Sequence, residues 1–240
     1  MNTKIAHITD SHLDEEFPTE HGIQTRRRLD IVLEDIEREG VTEIVCTGDI
    51  GENEGITYFF EQTKMMDLTI TLGNHDSFSK ITKHFSRGAH YDSQKLYYSV
   101  PKEHQKFIYL DSSEGIIDKQ QLLWLEAELS SIKPIVFFMH HPIIGLNLMV
   151  DKIGGLKNSK AILSLLENTS NDITLFCGHY HMESSTSYKN VKQYITPAIS
   201  FQIEKNPTEI EINKEYFGYR MIELSDHGVN SEVKILKDAV

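Results

Sequence analysis

Residue types that bind metal ions occur in five separated clusters along this chain. In order they are Asp10-Ser11-His12, Gly48-Asp49, Gly73-Asn74-His75-Asp76, His140-His141-Pro142 and Gly178-His179-Tyr180-His181. Each cluster directly follows a short apolar run typical of a buried strand, and the runs are IAHIT, EIVCT, LTITL, PIVFFM and ITLFC. Because ligands of an open α/β sheet bind at the carboxyl ends of its strands, these clusters should meet at one edge. The sequence therefore predicts a metal site at that edge.

The donor types narrow the class of metal. Mn, Fe and Zn ions accept mixed imidazole and carboxylate ligands, whereas Ca²⁺ and Mg²⁺ prefer sites made of oxygen. Gly48, Gly73 and Gly178 stand beside the donors and are expected to permit tight turns and close approach of the backbone. We therefore expect a transition-metal site.

Helical patterns alternate with these strands. The predicted helices cover residues 25–39, residues near 55–66, a stretch after Asp118 and a stretch from about Ser159. The first should stop at Gly40, because glycine commonly follows the last turn of a helix. Asp118 and Gln121 have the spacing of a capping box, in which each side chain binds the other residue's backbone N–H. Alternating strands and helices predict a layered α/β protein.

The remaining elements are predicted strands. A hairpin is expected over Lys95–Ser112, and strands alone follow Tyr188, at Val191–Ile195, Ser200–Glu204, Tyr219–Leu224 and Val233–Leu236. No internal repeat or linker divides the chain. We therefore expect one domain over residues 1–240.

The composition sets limits on partners and location. The net charge of −12, from 24 basic and 36 acidic residues, argues against nonspecific binding to nucleic acid. No stretch approaches the roughly twenty apolar residues that a membrane helix needs, and the first strand leaves no room for a signal peptide. Cys46 and Cys177 lie in predicted core strands, which fits a reducing compartment better than the alternative of a disulfide. We expect a cytoplasmic protein without a membrane partner.

The five clusters, in this order, resemble the motifs of the calcineurin-like metallophosphoesterases. That pattern is D-x-H, G-D, G-N-H-D/E, a lone His and G-H-x-H, and all five parts occur between Ile5 and about Tyr194. One D-x-H arises by chance in many proteins, whereas the ordered set at strand ends is far more specific. The resemblance implies a four-layer α/β sandwich, with two packed mixed β-sheets flanked by α-helices.

Further features are similar to the class III cyclic nucleotide phosphodiesterases and the related glycerophosphodiesterases. The matching residues are Thr25, Arg28-Leu29, Tyr109-Leu110-Asp111, Gln121-Leu122, Trp124-Leu125, Leu129, Asp151, Leu156 and Asn158. The chain departs from the family pattern at Leu72, which replaces a proline, and at Cys177 and Tyr180. None of these departures removes a ligand.

The resemblance also implies two transition-metal ions, divalent or trivalent Mn, Fe or Zn. Carried over by motif, the first ion would be bound by Asp10, His12, Asp49 and His181, and the second by Asp49, Asn74, His140 and His179. Asp49 would then bridge the two ions. A metal-bound hydroxide would attack phosphorus in line with the leaving oxygen.

Three neighbouring residues are expected to act without binding metal. His75 would stabilise the transition state or protonate the leaving group, roles that suit an imidazole. Asp76 would orient His75 through a hydrogen bond or, alternatively, cap the following turn. His141 is predicted to contact the substrate or to support the metal ligands.

Two charged segments are less informative. Arg26-Arg27-Arg28 point in three directions around a helix, which favours a solvated face with ion pairs over phosphate binding. Glu15 or Glu16 could lie near the metal site, and the sequence does not choose between them.

The implied function is a metal-dependent phosphodiesterase for small phosphodiesters such as cyclic nucleotides or glycerophosphodiesters. One alternative is a DNA nuclease of the SbcD type, although such nucleases carry a large capping extension and join an ATPase partner. Another is a non-catalytic scaffold like the related retromer subunit, which is less favoured because no ligand is missing. The apolar loop Ile143–Lys157 would either close over the substrate or form a homodimer contact.

Overall fold

The computed structural model describes residues 3–131, 133–226 and 228–238. The strands in these ranges are β1 (Thr3–Ile8), β2 (Glu43–Cys46), β3 (Asp67–Ile70), β4 (Ala89–His90), β5 (Lys95–Leu96), β6 (Tyr98–Pro101), β7 (Lys106–Leu110), β8 (Ile135–Met139), β9 (Ile173–Cys177), β10 (Ser184–Tyr188), β11 (Val191–Ile195), β12 (Gln202–Ile203), β13 (Ile212–Asn213), β14 (Phe217–Ser225) and β15 (Gly228–Leu236). The helices are α1 (Glu16–Glu20), α2 (Thr25–Arg38), α3 (Asn53–Gln62), α4 (Phe78–Ile81), α5 (Lys119–Glu128), α6 (Met149–Gly154) and α7 (Ser159–Glu167).

Two mixed sheets carry the predicted site. The first has the strand order β15-β14-β1-β2-β3 and the second the order β10-β11-β9-β8-β7-β6. Strands β1, β2 and β3 are parallel, as are β7, β8, β9 and β11. The other strands in these two sheets pair antiparallel. The donor clusters therefore follow parallel strands and leave each sheet at a single edge.

A row of aromatic rings crosses the second sheet on the face that meets the first sheet. Tyr98, Tyr109, Phe138, Phe176 and Tyr194 are register partners on five neighbouring strands. Successive ring centroids lie 4.4, 5.2, 5.6 and 5.4 Å apart with nearly parallel planes. The His7 ring of β1 meets Phe138 and Phe176 edge-on, with both centroid distances 5.9 Å. These contacts fix β1 against β8 and β9, the strands that precede three of the clusters.

His7 is a buried residue of this core. Its Nδ1 lies 2.7 Å from the Thr196 hydroxyl and its Nε2 lies 2.9 Å from the Thr47 hydroxyl. Burial and the nearby Arg220 guanidinium lower the pKa of His7 to about 3, so the ring stays neutral between the sheets.

Helices cover the outer face of each sheet. Tyr219 of β14 donates its hydroxyl to Asp35 of α2 at 2.8 Å on the outside of the first sheet. Leu125 of α5 and Ile162 of α7 pack with Phe137 of β8 on the outside of the second sheet. The order helix, sheet, sheet, helix confirms the predicted four-layer α/β sandwich.

Most predicted elements occur within a few residues of their expected bounds. The first long helix is Thr25–Arg38, and Gly40 follows it with a φ of +69°, in the left-handed region that favours glycine. The predicted strand Ser200–Glu204 shrinks to Gln202–Ile203 because Ser200 donates its backbone N–H to the Asp10 carbonyl instead of to a strand.

Only half of the predicted capping box forms. The Asp118 carboxylate accepts from the Gln121 N–H at 2.9 Å. The Gln121 amide instead bonds the backbone of Asp111 in both directions, at 2.7 and 2.9 Å. The prediction of a reciprocal bond was wrong, because Gln121 ties α5 to the end of β7.

Two further expectations concern membranes and disulfides. The longest described helix, α2, has 14 residues, and no helix in the described ranges is long and apolar enough to cross a bilayer. Cys46 and Cys177 are both buried and free, so the disulfide alternative is wrong.

Candidate metal centre

The seven predicted metal donors lie together where the two sheet edges meet. Asp10 and His12 follow β1, Asp49 follows β2, Asn74 follows β3, His140 follows β8, and His179 and His181 follow β9. Five of them have left-handed backbone conformations, with φ of 54° at Asp10, 45° at His12, 52° at Asp49, 67° at His179 and 48° at His181. Residues other than glycine rarely adopt this region, and a cluster of them marks a functional site.

The first group of donors comprises Asp10, His12 and His181. The Nε2 atoms of His12 and His181 are 3.1 Å apart, and His181 Nε2 lies 3.4 Å from Asp10 Oδ1. The second group comprises Asp49, His140 and His179. Here His140 Nε2 lies 3.1 Å from His179 Nδ1 and 3.0 Å from the Asn74 side-chain oxygen.

Asp49 stands between the two groups. Its Oδ2 lies 3.2 Å from His140 Nε2 and 3.6 Å from His12 Nε2, so one oxygen faces donors of both groups. Its Oδ1 accepts the His75 backbone N–H at 2.8 Å. Burial would raise the pKa of Asp49, but the neighbouring imidazoles hold it well below its usual range. Asp49 is therefore a charged carboxylate in the position of a bridging ligand.

Each donor histidine has a second ring nitrogen that points away from the donor groups. Its hydrogen-bond partner shows which nitrogen of the ring is free to bind a metal ion. Three of the four donor histidines turn their other nitrogen to a backbone carbonyl: His140 Nδ1 to Thr47 at 2.8 Å, His179 Nε2 to Gly154 at 2.8 Å, and His181 Nδ1 to Phe201 at 2.9 Å. His12 Nδ1 faces a Glu15 carboxylate oxygen at 2.9 Å. Because carbonyl and carboxylate oxygens only accept, these four nitrogens carry the protons.

Without a cation, burial would lower the pKa of His140, but the Asp49 and Asp10 carboxylates raise it to about 9. Metal binding requires the neutral rings, whose converging nitrogens are unprotonated. Two such nitrogens 3.1 Å apart cannot hydrogen-bond to each other, whereas a cation placed between them would accept both lone pairs. The same arrangement, with each donor ring braced from behind by an oxygen, is the usual environment of metal-binding histidines. The residues present fit one transition-metal ion in each group.

Glycine permits the close approach of the loops, as expected. A Cβ on Gly73 would lie 2.2 Å from Asp49 Oδ1, and a Cβ on Gly178 would lie 2.0 Å from the Thr9 hydroxyl and 2.4 Å from Asp10 Oδ2. Any larger residue at either position would displace a metal donor.

Both predicted roles of Asp76 were wrong. Its carboxylate accepts the backbone N–H groups of Asp49, Ile50 and Gly73 at 2.8, 2.9 and 2.8 Å. It therefore joins the loop after β2 to the loop after β3 instead of orienting His75 or capping α4. Asp76 positions the bridging carboxylate and does not face a substrate.

The prediction that His141 contacts substrate was also wrong. Its side chain is buried, its Nδ1 lies 2.9 Å from the Ser112 hydroxyl, and its ring lies 4.1 Å from the His179 ring. Burial, together with His179 and His140, lowers its pKa to about 2, so it is neutral. His141 supports ligand His179, as in the alternative interpretation.

Glu15 is the site residue that the sequence left undecided. Its Oε2 accepts Nδ1 of His12 and Nδ1 of His75, both at 2.9 Å, while its neighbour Glu16 is exposed. Burial would raise its pKa, but these two hydrogen bonds bring it to about 2. In turn, the bond to Glu15 raises the pKa of His75 to about 9. Glu15 therefore orients His75 and leaves its Nε2 as the nitrogen available to a substrate.

The apolar loop after His140 supports the site from behind. Leu146, Leu148 and Val150 pack against Tyr180, and Tyr180 donates its hydroxyl to Asp151 at 2.9 Å. These contacts place the Gly154 carbonyl that orients His179. Within the described residues this loop does not line the cavity above the donors. Closure over substrate and a dimer contact both stay predictions.

The arginine cluster has structural roles. Arg26 pairs with Asp14 and stacks over Tyr58, while buried Arg28 binds the Ser200 and Lys214 carbonyls and Asp238. Arg26 therefore makes a predicted surface ion pair, whereas the expectation of a solvated face was wrong for Arg28, which is buried.

A cavity of about 430 Å³ opens above the donors. His12, Asp49, Asn74, His179 and His181 line its floor, and Glu15 and His75 line one side. The remaining lining is apolar and comes from α1 and the β12–β13 region. The cavity gives a small molecule access to both donor groups and to His75.

Comparison with known families agrees with this geometry. The family model for calcineurin-like phosphoesterases matches residues 3–183, which include every donor named above. The chain belongs to the calcineurin-like phosphoesterase family. It is therefore a metallophosphoesterase, a hydrolase of phosphoric esters, and its four-layer sandwich is the fold of that family.

Curated relatives carry more specific names. A probable cyclic nucleotide phosphodiesterase of Fibrobacter succinogenes is 26% identical over 238 residues, covering 96% of this chain and 93% of the relative. The glycerophosphodiester phosphodiesterase GpdQ of Enterobacter lignolyticus is 27% identical over 219 residues, covering 83% and 78%. A dimetal phosphatase from Danio rerio shares the fold, with a TM-score of 0.68, 16% identity and 99% coverage of both chains.

We predict that Asp49→Ala removes both metal ions, whereas His140→Ala removes one. The reason is that Asp49 Oδ2 faces donors of both groups, whereas His140 Nε2 lies 3.1 Å from His179 of the second group and 4.0 Å from Asp10 of the first. Elemental analysis after reconstitution with Mn²⁺ should give two ions per wild-type chain. The exposed control Asp92→Ala should also keep two, and a wild-type content of one ion would contradict the assignment.

We also predict that Glu15→Gln weakens metal binding about 10–100-fold, the usual loss when the partner of a metal-binding histidine is changed. The carboxylate that holds His12 Nδ1 becomes a weaker, neutral acceptor. Competition with a chelator measures the affinity. The control is Glu16→Gln, which changes the adjacent exposed carboxylate. If the two variants lose the same metal affinity, Glu15 has no specific role in the site.

Proposed function

We propose that this phosphoesterase binds two transition-metal ions and hydrolyses small phosphodiesters. The observation that carries the proposal is the pair of donor groups that share Asp49 Oδ2, with His75 beside them in one cavity. The ligand sets proposed are Asp10, His12, Asp49 and His181 for one ion and Asp49, Asn74, His140 and His179 for the other.

The donor chemistry supports Mn, Fe or Zn as the metals, because each ligand set mixes two imidazole nitrogens with two oxygen donors. When bound, two such cations would lower the pKa of a water molecule and neutralise charge on the phosphoryl oxygens. The chain's own part is to hold these donors in place. The buried carboxylates Asp10 and Asp49 also offset the charge of the cations.

His75 is the proposed acid. Its Nδ1 is committed to Glu15, and its ring lines the cavity with the side chain about half exposed. The raised pKa of about 9 keeps the ring protonated near neutral pH, so Nε2 can give a proton to the departing alkoxide. Glu15 holds the ring at the angle that this transfer requires.

Two observations support a small diester as substrate. The relatives named as cyclic nucleotide and glycerophosphodiester phosphodiesterases span nearly all of this chain. The cavity of about 430 Å³ has the size of a small-molecule site, and the net charge of −12 disfavours a nucleic acid polymer. The complete donor set disfavours a non-catalytic scaffold.

We predict a higher kcat/KM for bis(p-nitrophenyl) phosphate than for p-nitrophenyl phosphate. The basis is the likeness of the chain to relatives that are named phosphodiesterases. The measurement is a hydrolysis panel on Mn²⁺-loaded protein that includes cyclic nucleotides, glycerophosphodiesters and single-stranded DNA, with Asp49→Ala as the contamination control. Faster turnover of the monoester would overturn the diesterase proposal, and efficient degradation of DNA would favour a nuclease.

We predict that His75→Ala lowers kcat by about 10²–10⁴, the usual contribution of a positioned acid, and retains both metal ions. The loss should be smaller for p-nitrophenolate than for alkoxide leaving groups, because a good leaving group needs no proton. Steady-state kinetics and elemental analysis measure the two effects. The exposed His104→Ala serves as control, and loss of a metal ion from His75→Ala would make His75 a ligand instead.

A further inference from the structure

One wall of the metal cavity is built from apolar side chains alone. Its members are Phe17 and Pro18 from α1, and Phe201, Ile203, Ile210 and Ile212 from the β12–β13 region. None of these side chains carries a hydrogen-bonding atom. A hydroxyl or amine buried against this wall would lose its hydrogen bonds to water. It would find no side chain of the wall to replace them.

The wall is attached directly to the metal donors. The Phe201 carbonyl accepts His181 Nδ1 at 2.9 Å, and the Phe201 ring lies 4.4 Å from the His181 ring. Ile203 donates its backbone N–H to the His181 carbonyl at 2.7 Å. The apolar surface therefore begins at a metal ligand, and a group bonded to the reacting phosphorus would reach it.

Contacts between its two halves give the wall a defined shape. The Phe17 and Phe201 rings have centroids 5.2 Å apart, and Lys214 donates its Nζ to the His21 carbonyl at 3.0 Å. Ile203 and Ile212 are register partners on β12 and β13. These contacts join α1 to the β12–β13 region across the cavity.

We infer that this wall is a subsite for an apolar, ring-bearing substituent on the phosphodiester, an inference that rests on the proposed function. Apolar side chains exclude a polyol such as glycerol, and the aromatic rings of Phe17 and Phe201 offer faces to a ring. A second charged group placed against this wall would find no charged or polar side-chain partner there. The preferred diester carries one phosphate charge, and its ring-bearing substituent has no further charged or polar group.

The test compares benzyl p-nitrophenyl phosphate with methyl p-nitrophenyl phosphate, which have the same charge and leaving group. Wild-type kcat/KM should favour the benzyl ester by about tenfold or more, the discrimination that an apolar pocket achieves for added apolar groups. Benzylphosphonate should likewise bind more tightly than methylphosphonate in calorimetry on the Mn²⁺-loaded protein. This binding measurement needs no turnover.

Phe17→Ser and Ile210→Ser probe the wall, because both side chains are about 40% exposed and neither is a metal donor. Each should lower the benzyl preference several-fold, mainly through KM, and elemental analysis should show an unchanged metal content. The matched control is Leu123→Ser, an exposed apolar residue of α5 on the far helical layer, which should keep the preference.

The outcomes separate the subsite from the diesterase activity. If both esters are hydrolysed equally well, or if the two wall variants keep the wild-type preference, the subsite is refuted and the diesterase stands. If neither ester is hydrolysed but benzylphosphonate still binds preferentially and loses that preference in Phe17→Ser, the subsite stands and the proposed activity fails.

Discussion

Four imidazoles and two carboxylates must be held close together in this protein before any metal ion arrives. The nitrogens of His12 and His181 are 3.1 Å apart, as are those of His140 and His179, and Asp49 and Asp10 add charged oxygens beside them. Such a cluster is costly to assemble in a buried place. The surrounding structure can be understood as the set of contacts that holds it, and cation binding then becomes the favourable way to relieve it.

Those contacts operate at three distances from the cluster. Nearest are the oxygens of Thr47, Gly154, Phe201 and Glu15, which fix the tautomer and angle of the four donor rings. Next are the loops, where Asp76 binds three backbone N–H groups and glycines let chains approach within reach of the carboxylates. Farthest is the aromatic row between the sheets, which keeps the carboxyl ends of β1, β8 and β9 in one place.

The cavity above the donors is chemically divided. Glu15 and His75 form a charged, hydrogen-bonded side, and the wall from Phe17 to Ile212 forms an apolar side. Both sides include residues of the segment between β1 and α2, so one short stretch of chain contributes to proton transfer and to substrate choice.

Local sequence determined the donors and the elements that carry them. Apolar runs of strand length, each followed by a cluster with Asp, Asn or His, can be located from the sequence alone. Hydrophobic periodicity and turn preferences depend only on neighbouring residues. The 25–39 helix was predictable for that reason, and the seven donors were predictable because their motifs resemble those of the calcineurin-like family. The roles of Glu15, Asp76 and His141 were not, because each also depends on a partner far along the chain: Glu15 meets His75, Asp76 meets Asp49, and His141 meets Ser112. Glu15 turns inward where it can bind His12, three residues before it, together with His75 from the loop after β3. The apolar wall likewise arises where α1 and the β12–β13 region, almost two hundred residues apart, come to face the same metal ligand.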